Sequence, residues 1–231
     1  MFGRAFAVLV ACLSAVAANA QHPIVLQKLQ TWDRASPPPA NQVLQEHLII
    51  AAQPYYDGLA SCDLSSANIT DIRSATADRF AFSGITRGTL RNAWFLETQL
   101  PSCDEAPVRF TVFQMSDGSL QVVRTNRGRS IAWESLISDA MPMAAMGAQA
   151  AIKRAGFDCD TTDVQLGIVR IGSEGEDLGP ETYGIRYSGG WSEIWPITTC
   201  DKTVEVRMDF VADGDGGAYI NVPGDKTTIL S

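Results

Sequence analysis

The side chains that carry most acid–base and nucleophilic chemistry are thinly spread along this chain. Histidine occurs only at His22 and His47. His47 recurs with Val43, Leu44, Leu48 and Ala51 at helical spacing, so it belongs to the apolar stripe of a helix and lacks the positioned partner that a catalytic triad needs. No G-x-S-x-G elbow, Walker loop, dinucleotide-binding glycine fingerprint or H-E-x-x-H motif is present, which removes the commonest hydrolase, nucleotide and zinc-protease chemistries. Carboxylates are the remaining candidates. Asp63, Asp104, Asp160 and Asp201 each follow a cysteine; a converging pair could serve as general acid and base, although an Asp beside a strand end more simply caps a turn. The loop Asp213-Gly214-Asp215-Gly216-Gly217 makes Asp213 and Asp215 a weak calcium candidate, short of the six or more oxygens a calcium site requires. A hairpin turn explains the Asp-Gly pairs as well. No cofactor and no firm metal site are expected.

One group of residues suggests recognition rather than catalysis. In a strand, Trp191, Glu193 and Trp195 share a face because side chains alternate. Two indoles flanking a carboxylate could stack on a carbohydrate or anchor a protein partner. A packed strand with Glu193 at its rim is the competing account. A nucleic-acid partner is disfavoured by the net charge of −8, since phosphate binding needs Lys and Arg.

The elements that would position these residues come in two similar sets. Cys62 to Cys103 and Cys159 to Cys200 are both 41 residues apart. A shift of 97 places Cys62-Asp63 on Cys159-Asp160, Arg73 on Arg170, Trp94 on Trp191 and Cys103-Asp104 on Cys200-Asp201. One inserted residue brings Val108-Arg109 to Val206-Arg207, and a local shift of 100 brings Gly84-Ile85 to Gly184-Ile185. The chain therefore reads as a tandem duplication, with modules at 41–124 and 138–231, a linker at 125–137 and an N-terminal arm at 21–40. The arm ends in Ser36-Pro37-Pro38-Pro39 and is expected to be a stiff extended spacer.

Each module is expected to open with a helix. The first is closed by Pro54 and Gly58; the second is N-capped by Asp139, runs from Met141 to Ala155 and ends at Gly156. Strands are expected at 68–73, 79–85, 91–98 and 108–115, at 164–171, 182–187, 191–198 and 203–211, and briefly after each Asp-Gly turn. The expected fold class is α+β, a helix on an antiparallel sheet in each module. An ancestral single module would own both its cysteines, so the expected disulfides are Cys62–Cys103 and Cys159–Cys200.

The first twenty residues read as a secretory signal peptide: Arg4, an apolar run from Ala5 to Ala17, then Ala18-Asn19-Ala20 with cleavage between Ala20 and Gln21. Leu9-Val10-Ala11-Cys12 resembles a lipobox, making a lipid anchor at Cys12 the alternative. Export to the periplasm or the exterior suits an even cysteine count after cleavage. No other segment is long and apolar enough to span a bilayer. The layout resembles that of the secreted proteinaceous inhibitors of β-lactamase. The expected function is a non-enzymatic binding, interaction or inhibitor-like module; a carboxylate-dependent envelope hydrolase and a structural envelope component are the alternatives.

Overall fold

The computed structural model describes residues 23–57, 61–158 and 163–230. The expected signal peptide with its Ala20–Gln21 cleavage site, the lipidation alternative at Cys12, and Cys159 with Asp160 lie outside the described residues. The fold is α+β: the described residues form four α-helices and a ten-stranded mixed sheet, with a separate two-stranded ribbon.

Helix α1 (Pro23–Ala35) and helix α2 (Asn41–Tyr56) come first. Strand β1 (Asn68–Ser74), helix α3 (Arg79–Thr86) and strands β2 (Leu90–Gln99), β3 (Val108–Met115) and β4 (Leu120–Gly128) complete the first half. The second half opens with helix α4 (Glu134–Arg154). Strands β5 (Gln165–Leu166), β6 (Ile168–Glu174), β7 (Glu181–Thr182), β8 (Ile185–Arg186), β9 (Gly190–Thr199), β10 (Lys202–Ala212), β11 (Ala218–Asn221) and β12 (Thr228–Ile229) follow. The sheet runs β1-β2-β3-β4-β6-β9-β10-β11. All its neighbours are antiparallel except β4 and β6, which pair in parallel through Arg127 with Ile168 and Gly128 with Val169. This short seam makes one sheet of both halves. Gly128 has φ +84°, and a Cβ there would lie 2.0 Å from the Val169 carbonyl oxygen, so only glycine permits the join.

Strand alternation sorts the core. Trp94, Leu96, Phe110 and Val112 face α2, whose Leu44, Leu48, Ala52 and Tyr56 cover them. Ala93 and Phe95 point the other way, into a larger core with Trp191, Trp195, Val206 and Phe210 under α4. At the seam Val169 joins that larger core, while Arg127 pairs with Asp104, which holds Tyr56 of α2. The two long helices therefore lie on opposite faces of the continuous sheet, and the larger core draws on both halves.

Several expectations need correcting. The arm at 21–40 is not simply an extended spacer: residues 23–35 are helical, with Leu29 fully buried and Trp32 edge-on to Phe82 at 5.4 Å. The strand expected at 79–85 is helix α3, because Asp78 accepts a hydrogen bond from the Phe80 N–H at 2.8 Å and starts a turn. Its proposed counterpart, 182–187, is broken by Tyr183 at φ 50° and Gly184 at φ 97° into the β7–β8 ribbon. The expected equivalence of Gly84-Ile85 with Gly184-Ile185 thus joins a helix to a turn. Helix α4 starts before Asp139, which instead lies within it and pairs with Arg79 at 2.8 Å. Linker residues 125–128 belong to β4 and residues 134–137 to α4.

Cys62 and Cys103 are disulfide-bonded. Cys200 is disulfide-bonded too; its expected partner, Cys159, is outside the described residues. No helix among the described residues is long and apolar enough to cross a membrane.

Candidate functional site

Trp191, Glu193 and Trp195 do share one face of β9, and the indole N–H groups of both tryptophans donate to Glu193, at 3.1 and 2.8 Å. The face is the interior one. Their exposures are 4, 0 and 0 %, so the expected recognition surface is a buried cluster. Trp191 stacks on Phe210 at 5.1 Å. The Glu193 carboxylate also accepts from the Ser130 hydroxyl and from the Ile131 and Ala132 N–H groups, at 2.8 and 2.9 Å for the amides. A carboxylate accepts several donors and donates none, and here that property ties the connection between the halves to β9. Beside it lies fully buried Arg109, which donates to the Ser130 and Ala132 carbonyls and sits 5.2 Å from the Phe95 ring centroid.

The aspartates that follow cysteines serve turns and loops where they are described. Asp63 caps a short 3-10 turn through the Ser65 N–H at 2.9 Å. Asp104 receives the Arg127 guanidinium, the Tyr56 hydroxyl at 2.7 Å and the Ala106 N–H. Burial raises the Asp104 proton affinity, but these hydrogen bonds and the Arg127 charge outweigh it and leave the pKa lowered. Burial and Asp104 together push Tyr56 up to about 12. Asp201 and Cys200, at φ 53° and 55°, form the tight turn between β9 and β10. Arg73 bridges Glu97 at 2.7 Å and Glu181 on β7, whereas Arg170, its proposed equivalent, faces the open side of the sheet and pairs with Glu205 at 2.6 Å.

At the weak calcium candidate, Asp213 Oδ1 accepts from the Asp215 and Gly217 N–H groups at 2.8 and 2.9 Å. That is the self-capping of an Asx turn. No cluster of three or more His, Cys, Asp or Glu side chains suited to a metal occurs among the described residues.

Two carboxyls, the buried Asp78 and the half-buried Glu134, escaped sequence reasoning. Glu134 accepts from Thr111 and Thr125; Asp78 accepts from the Phe80 and Ser135 N–H groups and so caps α3 while holding the first turn of α4. Burial raises the pKa of both. Neither lines the apolar cavity beside α1 or the polar one around Arg73, and the donors they accept from belong to the fold.

The larger of those cavities, about 560 Å³, is a cleft between α1, the start of α4, Tyr187 and the loop joining β10 to β11. Leu29, Phe82, Trp133, Leu136 and Ile220 form its apolar wall. Its charged rim holds Arg79, Asp139, Asp213 and Asp215. Its volume falls within the roughly 300–1,000 Å³ of ligand pockets, and an apolar lining with few polar groups is their usual composition. The sequence held one overlooked signal for this wall: Val25, Leu29 and Trp32 recur at helical spacing. The second cavity, about 390 Å³, is polar and lies around the Arg73 bridge between β1 and β7.

No family model, no curated protein and no solved structure matches the chain.

Proposed function

We propose that this chain is an exported, non-enzymatic binding protein that seats its ligand in the cleft between α1, α4 and the β10–β11 loop. The observation that carries this reading is the composition of the cleft: about 560 Å³ behind an apolar and aromatic wall. The two carboxyls raised by burial, Asp78 and Glu134, lie outside it. A hydrolase working between the halves needs such a pair open to substrate, and that is why binding is favoured over hydrolysis. Export is supported by the N-terminal sequence and by the Cys62–Cys103 disulfide.

The duplication belongs to the same proposal. Trp94 sits opposite Val112 in the β2–β3 pair and Trp191 opposite Phe210 in the β9–β10 pair. The shifts, 191 − 94 = 97 and 210 − 112 = 98, are those of the sequence comparison with its one-residue insertion.

The test is ligand screening by thermal shift on the purified protein and on Ala77→Trp, which fills the cleft from its wall. Ligands that raise Tm in the parent and leave Ala77→Trp unmoved support the reading. Ligands that stabilise both proteins equally, or turnover of an ester or glycoside panel that Glu134→Gln abolishes, overturn it.

A further inference from the structure

We infer that the cleft selects an amphipathic organic cation, an apolar or aromatic body carrying a protonated or quaternary amine; this rests on the binding reading above and names its ligand class. Three acids reach the rim, Asp139 from α4 and Asp213 and Asp215 from the β10–β11 loop, against one base, Arg79. Arg79 is already committed to Asp139 at 2.8 Å. Asp213 spends Oδ1 on backbone N–H groups of its own loop, and no cation pairs with it or with Asp215 among the described residues. The loop edge of the cleft therefore carries uncompensated negative charge directly above an apolar wall.

That arrangement discriminates by charge. An ammonium at the rim gains attraction from carboxylates that a half-enclosed, low-dielectric site screens less than open water does. Trp133, Phe82 and Tyr187 are in the lining, and an ammonium seated over any of these rings gains quadrupole attraction as well. An anionic head meets the same carboxylates repulsively, a form of selection by exclusion. The body of the ligand, by contrast, gains roughly fourfold in affinity for each methylene buried.

The experiment uses the full exported chain and three probes with the same tail: octyltrimethylammonium, octyl sulfate and octyl glucoside, each below its aggregation concentration, titrated by calorimetry at low and at 0.5 M salt. The expected result is about tenfold tighter binding of the ammonium than of the glucoside, weakest binding of the sulfate, and loss of most of the ammonium preference in high salt. Asp215→Asn should reduce the ammonium preference several-fold while leaving glucoside affinity unchanged. Arg79→Gln, which releases Asp139, should increase it. Ala77→Trp should abolish binding of all three. Equal affinities for the three heads, or a preference that Asp215→Asn and Arg79→Gln do not move, overturn the charge selection and leave the cleft reading standing. Binding that survives Ala77→Trp, or none by any probe, overturns both.

Discussion

Glu193 is fully buried, and five donor groups converge on it: the Ser130 hydroxyl, two backbone amides and two indoles. An amide in its place would turn a donor toward donors. Glu193→Gln is therefore expected to cost about 2–4 kcal/mol, read as a fall in the midpoint of chemical denaturation; an unchanged midpoint would refute the role given to this residue. Glu134 behaves in the opposite sense. Burial raises its pKa in the folded state above the ordinary carboxyl value, so the folded protein binds more protons than the unfolded one. Its contribution is most favourable at pH below the unfolded-state value and declines as pH rises through the folded-state value. Asp78 acts with the same sign, whereas Asp104, lowered, loses its contribution on acidification. Glu134→Gln should flatten the fall of Tm as pH rises above the ordinary carboxyl value. Parallel curves for parent and variant would contradict this.

Among the elements, α1 and α3 decide the cleft. Leu29 is fully buried on α1 and lines the wall. Leu29→Ala should cost about 2–4 kcal/mol and weaken cleft ligands in the same variant; thermal denaturation and ligand titration test the two effects separately. The disulfide acts on the loop leading from α2 to β3. Bridging residues 41 apart confines the unfolded chain by about 4 kcal/mol in the chain-entropy model. The Cys62→Ser, Cys103→Ser double variant should lose stability of that order, without altering the position of α2 over Trp94 and Phe110. A non-reduced peptide map that links Cys200 to any residue but Cys159 would contradict the pairing proposed for the second half.

For the molecule as a whole, the seam at Gly128 and Val169 and the shared core are the controlling features. Phe95 of β2 packs in one core with Trp191 and Trp195 of β9, so neither half buries its apolar surface alone. Urea unfolding followed by tryptophan fluorescence and by far-ultraviolet circular dichroism should give coincident transitions. Two separated transitions would instead mean that the halves are independent domains. Gly128→Ala, which drives a Cβ to 2.0 Å from the Val169 carbonyl oxygen, should destabilise both halves together.

The sequence by itself determined the α+β class, the long strands β2, β3, β9 and β10, the helices α2 and α4, and the Cys62–Cys103 bridge. These are written in local periodicity and in cysteine spacing, which neighbouring residues carry unaided. It also showed that Trp191, Glu193 and Trp195 share a face, because alternation along a strand is local. Which way that face turns was decided by tertiary packing: only the placement of α4 and of residues 130–132 over β9 makes it interior. The same holds for residues 79–86, whose aromatic and β-branched composition suits a strand until Asp78 caps them as a helix. The cleft was least legible of all. Its wall comes from α1, α3, α4 and the β10–β11 loop, segments far apart in the chain that only the folded sheet brings to one place.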